Sequence, residues 1–139
     1  MGSGIDQDQL DALFTAALEA AIARIEKDRT FFPLLFELRA NGAIQNVAVL
    51  ETGAIEGRQS VLDRLAELLR PRAAEGTIRA AAIALHLADS KSIEVRLRAP
   101  NYSHNVLVPF DILTSGLIKK KRELTLGEFT AREAGNEIF

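Results

Sequence analysis

Leu10, Leu13, Phe14, Ala17, Leu18, Ala21, Ile22 and Ile25 recur at spacings of three and four, which places them on one stripe of a helix. Its start is written locally: Asp6 suits an N-cap, Gln9 occupies the capping-box position, and Ile5 is placed to staple against Leu10. The pattern stops between Asp28 and Thr30, ahead of Pro33. From Phe31 the period changes to two. Phe32, Leu34, Phe36 and Leu38 share one side while Glu37 and Arg39 take the other, and Ile44 to Leu50 forms a returning strand after Asn41-Gly42. That dipeptide is a strong hairpin signal, because both residues tolerate positive φ.

Gly53 and Gly57 mark a loop, after which Val61, Leu62, Leu65, Leu68 and Leu69 restore helical spacing as far as Arg70-Pro71. Residues 77 to 88 then alternate, with Ile83, Leu85 and Leu87 on one side and Ala82, Ala84, His86 and Ala88 on the other. A strand with one face of small side chains lets a helix approach closely. Asp89-Ser90-Lys91 predicts a turn. Ser92 to Ala99 alternates cleanly, with Ile93, Val95 and Leu97 inward and Glu94, Arg96 and Arg98 outward. After Pro100-Asn101 a last strand spans His104 to Ile112, in which Pro109 calls for an edge or a bulge. Beyond Gly116 the pattern weakens, so residues 113–139 are expected to be an irregular extension and residues 1–5 a flexible lead-in.

The order α-β-β-α-β-β-β, with short turns between strands, predicts a single α+β domain over 1–139: a five-stranded antiparallel sheet with both helices on one face. As element order, over residues 6 to 112, it resembles the profilin-like arrangement of roadblock and longin-type domains. That resemblance implies dimerisation and regulatory partners. A cystatin-like sheet is the competing architecture.

With 139 residues and 47% hydrophobic content, the chain has the length of one domain and enough apolar side chains for a core. It has no cysteine, which removes disulfides, thiolate nucleophiles and cysteine-based metal sites and fits a reducing, cytoplasmic setting. No basic stretch followed by an apolar run opens the sequence, and no apolar run approaches a membrane span, so a soluble protein is expected. Net charge is −2; residues 1–76 hold 8 basic and 12 acidic groups, residues 77–139 hold 9 and 7. Without tryptophan and with Tyr102 as the single tyrosine, the composition argues against a nucleic-acid partner.

Candidate chemistry is sparse. Two histidines without HxH or HExxH spacing give no metal site, and no catalytic or cofactor motif is present. Tyr102, His104 and Asn105, with His86, are the candidates for a small-ligand cleft; His104 with Asp111 or Glu94 would be an acid/base couple. Lys119, Lys120, Lys121 and Arg122 are the candidates for holding an anion or an acidic partner, although a solvated connector accounts for them better. The glycines at 53 and 57 match no phosphate-binding spacing. Ile138 and Phe139, two large apolar residues in a closing polar stretch, must dock on the chain's own sheet or on a second subunit. The expectation is a non-catalytic interaction or regulatory module acting as a homodimer. A small-ligand-binding protein or minor enzyme is the alternative.

Overall fold

The computed structural model describes residues 6–29, 33–47, 57–116 and 121–139. The expectations placed on residues 1–5, on the loop around Gly53, and on Lys119 and Lys120 lie outside these residues. Helix α1 spans Gln7–Asp28. The Asp6 carboxylate accepts the Asp8 N–H, and Arg29, in the left-handed region at φ 68°, returns its N–H to the Ile25 carbonyl. Strands β1 (Leu34–Arg39) and β2 (Ile44–Val47) form the expected hairpin, with Leu38 opposite Ile44. Its turn is longer than a two-residue Asn-Gly loop: Gly42 donates to Arg39, Arg39 donates to Ala43, and positive φ falls on Gly42 and not on Asn41. Asn41 contributes instead through its side-chain oxygen, which accepts the Ala43 N–H.

Helix α2 spans Gly57–Ala74 and carries Pro71 inside it, so it runs past the Arg70-Pro71 stop read from the sequence. What ends it is a Schellman arrangement. Gly76 at φ 78° donates to Ala73 while Thr77 donates to Arg72, closing carbonyls that the missing next turn leaves open. Strands β3 (Ile78–Leu87), β4 (Ser92–Ala99) and β5 (Tyr102–Ser115) follow as a meander. Residues 113–139, expected to be irregular, hold the end of β5 and two further strands, β6 (Lys121–Leu126) and β7 (Thr130–Glu133).

The sheet is therefore larger than five strands: among the described residues it has seven, antiparallel, in the order β2-β1-β3-β4-β5-β6, with β7 also on β5. β7 pairs with His104 to Leu107 of β5, and β6 with Phe110 to Ser115. Pro109 sits in the gap between them, where its missing N–H breaks no ladder bond and its carbonyl accepts the Gly127 N–H.

The two helices do not share a face. Phe36, Leu38, Ala80, Ala82, Ala84, Ile93, Val95 and Leu97 form a core with Leu13, Ala17, Ala21 and Ile25 of α1. Leu35, Ile78, Ala81, Ile83 and Leu85 form a second core with Leu62, Leu65, Ala66 and Leu69 of α2. Odd and even positions of β1, and of β3 from Ala80 on, thus serve opposite helices, while Ile78, beyond the register shift at Leu38/Arg39, joins the α2 core; both strands are apolar on both sides. This helix-on-each-side layering replaces the expected two-layer packing, while the expected element order α-β-β-α-β-β-β runs as far as β5 and continues with two further strands. The alanine face of β3 does what its size suggests: α1, with its own Ala17 and Ala21, lies over it.

Candidate functional site

The Tyr102, His104 and Asn105 cluster lies within β5 and not at a turn, and alternation along the strand divides it. Tyr102 and His104 point to the α1 side, their rings 4.5 Å apart, with Tyr102 packed against the α1 core. Asn105 faces the other way, where its side-chain oxygen accepts from the Arg98 guanidinium at 2.9 Å. His86 stands opposite Ile93 of β4 and His104 opposite Leu97, so four residues of β4 and two strand spacings keep the histidines apart. His86 instead lies near Phe110, ring centroids 5.9 Å apart.

Neither carboxylate proposed for His104 is its partner. Glu94, on the opposite face, receives the Arg96 Nε at 2.8 Å, and Asp111 lies seven residues along β5 in the stretch paired only with β6. The residue across from His104 is Glu133 of β7, which sequence reasoning missed because it left that strand unread. His104 Nδ1 is buried and, among the described residues, has no hydrogen-bond partner.

Two charged side chains read as outward-facing are enclosed on the α2 side. Glu37 is fully shielded and paired with both Arg39 and Arg72, the latter from the last turn of α2. Arg98 is 2% exposed. It donates to the carbonyls of Leu97 and His104, to Asn105 and, through Nε, to the Glu137 carboxylate at 2.5 Å. The cover over Arg98 is the closing segment of the chain, which runs from β7 round to this face. Ile138 is buried in the α2 core and Phe139 packs beside it, so these residues dock on the chain's own sheet. The signal in the sequence was Glu137-Ile138 itself, a charge beside a large apolar residue.

The remaining feature is an arm. β4 ends its pairing with β5 at Pro109, with one further bond from the Phe110 N–H to the Lys91 carbonyl, so among the described residues strand β5 from Asp111 to Ser115 is bonded to β6 alone. Ile112 is 41% and Leu113 59% exposed; being consecutive, they lie on opposite faces of this ribbon. Leu126 and Phe129, also exposed, extend the apolar surface towards Phe14 of α1, whose ring meets Phe129 edge-on at 5.9 Å. Glu26 of α1 holds the ribbon from one side by accepting the Leu124 N–H. Lys121 and Arg122 belong to the first part of β6. Among the described residues no group of three or more His, Asp or Glu side chains is placed to hold a metal, and no helix is long and apolar enough to cross a membrane. Family models, curated proteins and solved structures were compared with this chain, and none matches.

Proposed function

We propose that the chain is a non-catalytic interaction module that acts as a homodimer, with the β5–β6 arm as its contact surface. The observation that carries this reading is the exposure of Ile112 and Leu113 on both faces of a ribbon only two strands wide. Such a ribbon is marginal in water by itself, and a third layer or strand over its apolar side chains stabilises it. A second copy is the simplest cover, because a twofold axis brings the same patch against itself. Light scattering on wild type and Leu113→Glu tests this. The wild type is expected at twice the 15.2 kDa chain mass and the variant at one chain mass, with the fold retained by circular dichroism. A wild type that stays monomeric at high concentration defeats the proposal.

A second reading, a small-ligand site, is favoured by the buried, unpartnered Nδ1 of His104 beside Tyr102. In this reading the site consists of Tyr102 and His104 without Asn105, which Arg98 engages on the opposite face. A metabolite thermal-shift screen tests it: a ligand at 100 times its dissociation constant adds about 2.7 kcal/mol of apparent stability. Any such shift must vanish in His104→Ala.

A further inference from the structure

We infer that the sheet face between α2 and the outer edge of β5 is a peptide-binding site whose resident occupant is the chain's own segment 130–139, and that it accepts in trans an extended peptide presenting a carboxylate followed by a large aliphatic side chain. This goes beyond self-association through the arm and holds whether or not the chain dimerises. The receptor side positions its cation through its own strands. Arg98 is fixed by the Leu97 and His104 carbonyls at 3.0 and 3.1 Å and by Asn105 at 2.9 Å, all from β4 and β5. Its Nε is turned to the segment, where Glu137 accepts at 2.5 Å.

The two partners are unequally enclosed. With the segment seated, the Arg98 side chain is 2% exposed and that of Glu137 38%, so the segment closes over the cation while its own carboxylate keeps contact with solvent. Leaving that Nε without an acceptor strands a buried charge, and a neutral peptide does just that. Selection for an acidic residue is therefore part of the site.

The rest of the hold divides into tolerant and specific parts. All four β7 side chains are exposed, so β7 is attached through its backbone ladder on the β5 edge, which any extended peptide reproduces. Backbone bonds continue past it: Ala134 donates to the Ser103 carbonyl, Ser103 Oγ to Gly135, and Arg70 Nε to the Glu137 carbonyl. Asn136 turns the segment by donating to the Ala99 carbonyl and accepting the N–H groups of Ile138 and Phe139. Ile138 then enters the α2 core with Leu65, Leu69 and Ile83. A strand added to a sheet edge, one charge-selected contact and one apolar anchor make up a strand-addition recognition mode.

The test uses the full chain with a protease recognition sequence inserted between Phe129 and Thr130 and cut after folding, and a fluorescein-labelled peptide running from Thr130 to Phe139 as probe. The cut protein is expected to stay folded by circular dichroism and to exchange its severed segment for the probe, with a saturable rise in anisotropy. The uncut chain should bind the probe at least about 100-fold more weakly, because its tethered segment competes at millimolar effective concentration. A probe with Ala in place of Glu137 should lose about tenfold or more in affinity. Unfolding of the cut protein once the segment is washed away, absence of probe binding, or equal binding of the Ala-bearing probe would each overturn the inference.

Discussion

Glu37 and Arg98 are enclosed by different means, and the difference sets what substitution does at each. Glu37 lies under the last turn of α2, with Arg72 above it and Arg39 two residues along its own strand. Removing Arg72 leaves a fully shielded carboxylate with one half-buried guanidinium, and the desolvation that the pair offset is no longer matched. Arg72→Ala is expected to lower stability by about 3 kcal/mol in urea unfolding. The double variant Glu37→Leu, Arg72→Leu should recover most of that loss, since it removes both charges together. Equal destabilisation of single and double variants would mean that the helix contact, not the charge, was responsible. Neither enclosure was legible in the sequence. The alternation of Glu94, Arg96 and Arg98 assigns one face to all three, and nothing local distinguishes the residue that a distant segment later covers.

At the scale of elements, β3 holds the sheet to both helices, and its composition explains how. Ala80, Ala82 and Ala84 let α1 approach, while Ile83 and Leu85 fill the space under α2. Ala82→Leu is expected to force α1 outward and cost about 1–3 kcal/mol, read as a lowered urea midpoint. A neutral result would show that α1 has slack over the sheet. The bounds of β4 and the α1 stripe were readable because burial on one side gives periodicity its amplitude. The same rule explains two failures. The run from Ile78 to Leu85 is apolar on both sides apart from Arg79, which is the mark of a strand covered twice, and its alternation of large and small side chains disguised this as one-sided. From Glu123 on β6 packs only Leu124 against the core, and β7 buries no side chain at all, so the sequences ELTL and TARE carry little pattern to read. The expected ligand cluster is divided by its strand, since residues 102, 104 and 105 cannot share a face of one regular strand.

Viewed whole, the molecule is a sheet roofed on both sides near its middle, with β5 continuing beyond β4 as half of a two-stranded arm that α1 touches at Leu124. β2, at the far edge, shows Ile44 at 36% exposure among polar neighbours, whereas the arm gathers Ile112, Leu113, Leu126 and Phe129. The proposed self-association therefore uses the arm and not β2. Hydrogen exchange followed by mass spectrometry at low and high protein concentration addresses this claim without altering a residue. Amides of 110–115 and 121–126 are expected to exchange more slowly as concentration rises, while those of 44–47 remain unchanged. Exchange in the arm that is independent of concentration, or protection that develops along β2 instead, would contradict the account.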